Sequence, residues 1–255
     1  MNFIIAAETD IGLVKETNQD SLSVKVINSP IGRMAFGIMC DGMGGLEDGE
    51  VASKEVVAAF DKWVRTELPN LCSEPIADSV LRSQWERIIA EENEKIKRYG
   101  AGKGIRLGTT AAAILLTQDR YYIMNVGDSR VYELTDQIRQ LTVDQTFVAR
   151  EVAAGNMTAE EAERDARRSV LLQCVGASEE VYPDFFFGDA RYNAVYMLCC
   201  DGLRHEISAE EIYENLQPDL MLSDAVMTQQ GRRLIELNKQ RGERDNISLA
   251  MIRTF

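Results

Sequence analysis

Two Asp-Gly pairs close apolar runs in this sequence, in "FGIMCDGMGG" (36–45) and "YMLCCDGL" (196–203). Three further aspartates stand in comparable places: Asp128 after "YYIMNVG", Asp20 before "SLSV" and Asp245 before "NISLAMI". Any one of them reads as a turn residue, since Asp and Gly are favoured in turns, and Gly42, Gly44 and Gly45 would make a sharp one. It also reads as part of a cation site, where a carboxylate and a bare backbone carbonyl converge on one ion. A carboxylate at the edge of an apolar layer is unfavourable unless it is solvated, hydrogen-bonded or bound to a cation. Because a sandwich gathers strand ends along one rim, the repetition favours the cation site. The donors would all be oxygen, which suits Mg²⁺ or Mn²⁺, whereas Zn²⁺ would be expected to recruit Cys or His. His205 is the single histidine, which excludes a His-based zinc site and makes a Ser-His-Asp triad depend on that one residue. No G-x-S-x-G or G-x-x-x-x-G-K-[ST] pattern occurs. Clustered carboxylates with few candidate nucleophiles point to metal-activated water.

The chain that must position these groups has 255 residues, 45% hydrophobic and 27% charged, enough for a sizeable buried core. Its formal net charge of -13 argues against binding nucleic acid through the phosphate backbone. The plain reading of that acidity is solubility; the sharper one is that part of the excess sits in cation sites and is neutralised there. Cys40, Cys72, Cys174, Cys199 and Cys200 lack C-x-x-C spacing and read as reduced core residues. "MNFIIAAETDIG" has no basic leader and is too short for a signal peptide, and no apolar run approaches the roughly 18 residues of a membrane span. The expectation is a soluble, cytoplasmic monomer that binds neither membrane nor nucleic acid.

Periodicity supplies the elements. Strands are expected at 22–27 and 34–40, joined as a hairpin through "NSPIG", then at 109–116, 121–127, 130–134, 194–200 and 246–252. Helical spacing relates Val56, Ala59, Phe60, Trp63 and Val64, and again Leu81, Trp85, Ile88 and Ile89. Ser208 with Glu211 is a capping-box pattern, and Leu234, Ile235 and Leu237 mark a later helix. Hairpin-linked strands with segregated helices indicate an α+β fold in one domain, 1–255, of packed antiparallel sheets and helical outer layers.

The ordered segments "VKETNQD" (14–20), "FGIMCDGMGG", "GTTAAA" (108–113), "NVGDSRVYEL" (125–134), "LTVDQTFV" (141–148), "LCCDGL" (198–203) and "RDNISLAMI" (244–252) resemble the metal-dependent serine/threonine protein phosphatases of type 2C, compact bacterial members above all. The resemblance implies a four-layer α-β-β-α sandwich with a flap subdomain at about 145–177. It also implies two divalent cations, Mn²⁺ or Mg²⁺, roughly 3.5–4 Å apart, that activate a bridging water to attack phosphorus without a phosphoenzyme. By the same resemblance Asp41 bridges the ions, and Asp201 and Asp245 complete one site. The Gly42 carbonyl serves the other with Asp20 nearby, and Asp128 with Asp201 would hold a third ion. Lys15 stands where the family commonly has Arg and would contact phosphate as a point charge rather than a fork. Met43 replaces a histidine found in many members, and the flap "RRSVLLQCVG" departs from the common pattern, so substrate reading would differ. His205 suggests a general acid, a role that the family pattern does not assign. The implied substrates are phosphorylated proteins, with a bacterial Ser/Thr kinase as the opposing enzyme. A specialised phosphoserine substrate of the anti-sigma-antagonist type fits the same residues. A binding module on the same fold is the alternative from another class, supported by Lys15 and the altered flap alone.

Overall fold

The computed structural model describes residues 1–43 and 48–255; Gly44 and Gly45, read above as part of a sharp loop, lie outside the described residues. Strands β1 (Phe3–Asp10), β2 (Asp20–Ser29) and β3 (Gly32–Asp41) precede helices α1 (Gly49–Thr66), α2 (Leu68–Leu71) and α3 (Asp78–Lys103). Strands β4 (Ala111–Leu116), β5 (Arg120–Val126), β6 (Arg130–Leu134) and β7 (Ile138–Gln140) follow, then helices α4 (Phe147–Ala153) and α5 (Ala159–Arg164). The chain ends with β8 (Asp184–Asp189), β9 (Ala194–Cys199), α6 (Ala209–Leu216), α7 (Asp224–Arg241) and β10 (Ile247–Thr254). The β2–β3 hairpin turns through Pro30 and Ile31, with Ser29 opposite Gly32, whose φ of 112° suits glycine. Ser208 and Glu211 form the expected capping box of α6, and Thr158 with Glu161 forms another at α5.

The strands form two antiparallel sheets, ordered β1-β10-β9-β6-β7 and β2-β3-β4-β5-β8. Alternation along each strand divides the apolar residues into three cores. On β3, Met34, Phe36, Ile38 and Cys40 face α1 and α3, while Ala35 and Met39 face the other sheet. On β9, Val195, Met197 and Cys199 face α6 and α7, while Tyr196, Leu198 and Cys200 face inward. The α-β-β-α sandwich expected from the sequence is therefore present, its strand-face assignments set by a side-chain period of two. Cys40, Cys72, Cys174, Cys199 and Cys200 are buried and free. Among the described residues no helix is long and apolar enough to cross a membrane.

Three strands were not expected. β1 buries only Phe3 and Ala6 fully, so its alternation is too weak to read, yet it pairs with β10 along its whole length. Asp20 consequently opens the second strand and not the first. β8 carries three half-buried phenylalanines against β5, and β7 is a three-residue strand beside β6.

Beneath α1 and α3, Trp85 meets Trp63 edge-on at 5.6 Å and Phe60 at 5.8 Å between ring centroids. Trp85 is fully buried and its indole N–H has no partner. Replacing it with Ala should lower unfolding free energy in urea by about 3–5 kcal/mol. Trp85→Phe should lose far less, because no hydrogen bond disappears; equal losses would contradict this account.

Candidate metal centre

The site begins with strand register. Asp20 pairs directly with Asp41. Leu22, Val24 and Val26 of β2, and Ala35 and Met39 of β3, pack between the sheets, so both carboxylates continue the inter-sheet face. Like charges directly opposite across a strand pair repel. Asp20 is only 7% exposed, and neither of its carboxylate oxygens has a hydrogen-bond partner. Burial pushes Asp20 up to about 7, with nearby Ser248 and Cys200 offsetting only part of the effect. Burial also pushes Asp41 well above the ordinary carboxylate range, and Asp20, Asp201, Asp128 and Asp245 add to it by repulsion.

Hydrogen bonds fix the backbone at Asp41. Its N–H donates to Thr110 Oγ1 at 2.9 Å, and its carbonyl accepts from the Thr110 N–H and from Thr109 Oγ1, each at 2.9 Å. Gly42 bridges to Thr109, which bridges in turn to Val175 below the flap. A Cβ at Gly42 would lie 2.5 Å from the Gly49 carbonyl oxygen and 2.6 Å from that of Gln19, so glycine alone fits. The second Asp-Gly pair obeys the same constraint. A Cβ at Gly202 would lie 2.1 Å from the Asn246 carbonyl oxygen. That contact brings the turn carrying Asp201 against the segment carrying Asp245.

Asn246 then joins this segment to the other sheet. Its Oδ1 accepts from the Gln19 N–H at 2.9 Å, and its Nδ2 donates to the carbonyls of Ile11 at 2.9 Å and Thr17 at 3.2 Å. It thereby anchors the loop bearing Lys15 and the residue preceding Asp20. The sequence reading assigned no role to Asn246, Thr109, Thr110 or Arg204. "GTTAAA" and "RDNISLAMI" stood out as blocks, but nothing in them said which side chain braces which backbone.

Asp41, Asp128, Asp201, Asp245, Lys15 and His205 line one cleft of about 700 Å³. Asp20 lies buried behind it, beside Asp41. Met43 and Arg106 also line the cleft, and Ser169, Leu171, Leu172 and Cys174 from the flap segment form another part of its wall. Lys15 Nζ lies 2.7 Å from Asp245 Oδ1. His205 sits between carboxylates, Nε2 3.4 Å from Asp201 Oδ2 and Nδ1 3.1 Å from Glu243 Oε2. Burial opposes its charge, but those two partners raise it to about 10, so it is a cation. Burial likewise works against ionised Asp201, yet His205 and Arg204 hold it down to about 2.

These groups fit a hard divalent cation. Two orphaned carboxylate oxygens on Asp20, directly opposite Asp41, need a positive partner that no neighbouring side chain supplies. Cys200 Sγ falls within 4.8 Å of ligand atoms on Asp20 and Asp41. It accepts from the Ser248 N–H at 3.1 Å, and burial pushes the thiol well above its usual range, so it remains a neutral neighbour and not a soft ligand.

A family model for protein phosphatase 2C matches residues 14–223. The chain is 29% identical over 251 residues to the protein phosphatase PhpP of Streptococcus pneumoniae, covering 97% of this chain and 96% of that one. It is 34% identical over 247 residues to the serine/threonine protein phosphatase PstP of Mycobacterium tuberculosis, spanning 96% of this chain and 44% of that protein. Its fold is similar to the crystal structure of the PstP catalytic domain in complex with two manganese ions. The TM-score is 0.77 and the identity 31%, over 99% of each chain.

The raised carboxylates make metal-free stability depend on pH. In folded, EDTA-treated protein Asp20 and Asp128 keep protons up to about 7, and burial holds Asp41 well above the ordinary carboxylate range, while unfolded aspartates ionise near 3.8. The native state therefore binds more protons, and stability falls as pH rises between those values. Asp201, held to about 2, acts only below that window. The melting temperature in EDTA should drop steadily from pH 4.5 to 6.5, and Mn²⁺ should flatten or reverse the slope. A metal-free melting temperature that rises across this window would refute the assignment of buried carboxylates that stay protonated.

Proposed function

The chain belongs to the protein phosphatase 2C family and is a serine/threonine protein phosphatase, and from that premise we propose a two-metal hydrolysis of phosphoserine and phosphothreonine in proteins. The observation that carries the mechanism is the direct pairing of Asp20 with Asp41, with both Asp20 oxygens buried and unpartnered, on a rim completed by Asp201 and Asp245 from the other sheet. Asp41 would be shared between two cations, Asp201 and Asp245 would complete one position, and the Gly42 carbonyl with nearby Asp20 would serve the other. Such a cation pair acidifies water and neutralises charge on phosphoryl oxygens.

The chain's own groups supply orientation. Thr109 and Thr110 hold the Asp41 backbone, and Asn246 holds the Lys15 loop against the Asp245 segment. Lys15 reaches into the cleft, where it would give a phosphoryl group a point charge once Asp245 turns to a cation. His205 is bonded to two carboxylates and acts as a positively charged strut on Asp201. Cys174, the thiol in the cleft wall, is pushed up by burial and is a poor nucleophile, which supports water as the attacking group. The same reading makes the enzyme the counterpart of a bacterial Ser/Thr kinase acting on shared substrates.

Purified protein should release phosphate from a phosphothreonine peptide with Mn²⁺ or Mg²⁺ and not with EDTA. Asp41→Asn and Asp201→Asn should each bring turnover to background. Inert wild type that binds no cation in calorimetry would exclude the enzyme mechanism and leave the binding module.

Lys15→Ala gives a separate test. It should lower kcat/KM about tenfold, or ~1.4 kcal/mol, by removing the phosphate contact, while tightening Mn²⁺ binding by freeing Asp245. Weaker cation binding in this variant would count against the proposed exchange of partners at Asp245.

A further inference from the structure

The rim carboxylates are not equivalent. Asp20 has no cationic partner, whereas Asp128 already has one. Arg204 follows Asp201 in a tight turn closed by the Arg204 N–H donating to the Asp201 carbonyl at 2.9 Å. That turn sends the guanidinium to Asp128, where Nη2 lies 3.2 Å from Oδ2 and 3.0 Å from the Asp128 carbonyl oxygen. The same nitrogen is 3.8 Å from Asp144 Oδ2. Asp144 is in turn held by the fork of Arg130, with Nε to Oδ1 at 2.8 Å and Nη2 to Oδ2 at 2.7 Å. Asp128, Arg204, Asp144 and Arg130 thus form a run of alternating charge, two anions and two cations. Asp128 is 6% exposed and the Arg204 side chain 14%, so water screens the pair little.

This arrangement disagrees with a divalent ion shared by Asp128 and Asp201. Such an ion would sit against a fixed guanidinium in a poorly screened environment, beside a carboxylate already paired with that cation. Asp128 lines the cleft and Arg204 does not, so Arg204 balances Asp128 without presenting itself to substrate. Asp201 has its own cation in His205, from the same turn.

We propose that Arg204 is the resident counter-cation of Asp128 and takes the place of a third divalent ion, so that this rim holds two ions and not three. The proposal rests on the two-cation reading of Asp20, Asp41, Asp201 and Asp245, and bound-ion counting separates the two. Mn²⁺ would be titrated into the whole protein and bound ions counted by electron paramagnetic resonance, with circular dichroism confirming the fold of each variant. Wild type should saturate at two ions. Arg204→Gln, which keeps a donor for Asp128 but removes the charge, should bind a third. Arg204→Ala should do the same, and adding Asp128→Asn to either should abolish the third ion. Wild type with three ions, one of them lost in Asp128→Asn, would overturn the proposal while leaving the two-cation reading intact. Folded Arg204→Gln that stays at two ions would also overturn it. Fewer than two ions on wild type would sink the two-cation reading and this proposal together.

Discussion

The register that sets Asp20 opposite Asp41 is the constraint on which the rest of the site depends. A one-residue slip of β2 on β3 would move Asp20 from the inter-sheet face to the helical face. The apolar residues alternating on those strands forbid that slip, since it would also expose Leu22, Val24 and Val26 to the wrong layer. Core packing thus compels two carboxylates to share a buried edge that they would otherwise avoid. A cation between them relieves the repulsion, so the same alternation that stabilises the sandwich creates the demand for a cation.

Backbone contacts carry that demand from one sheet to the other. Gly42 lies against the carbonyls of Gln19 and Gly49, Gly202 against that of Asn246, and Asn246 reaches across to Gln19, Ile11 and Thr17. The glycine contacts close neighbouring strand ends of one sheet on each other, and the Asn246 side chain joins the start of β10 to the loop that leads into β2 of the other sheet. The Gly42, Thr109 and Val175 bridges extend the connection to the base of the flap segment, whose Leu171, Leu172 and Cys174 form part of the cleft wall. That part of the cleft wall is therefore tied to the backbone that carries Asp41.

Basic side chains then sort the carboxylates by availability. Lys15 neutralises Asp245 and His205 neutralises Asp201, while Arg204 neutralises Asp128 from outside the cleft. Lys15 and His205 line the cleft and can be rearranged as its contents change. Arg204 is nearly enclosed and also lies 3.8 Å from Asp144, which Arg130 holds, so its pairing has the least room to rearrange. Both oxygens of Asp20 are buried without a partner.

The sequence by itself determined the two-sheet sandwich, the long helices and the residues at the rim. The elements follow from local periodicity and the rim residues from aspartates at strand ends, which depend only on near neighbours in the chain, with the family resemblance supplying their roles. It missed β1, whose alternation is too weak to read and whose role comes from pairing with β10 across the whole chain length. It could flag Asp128, His205 and Lys15 but not their partners. Only tertiary structure decided that Asp20 faces Asp41 with bare oxygens, that Lys15 rests on Asp245 and that Arg204 binds Asp128. Those contacts join residues far apart in sequence, and their energies depend on burial and on the positions of every nearby charge. A linear pattern encodes neither.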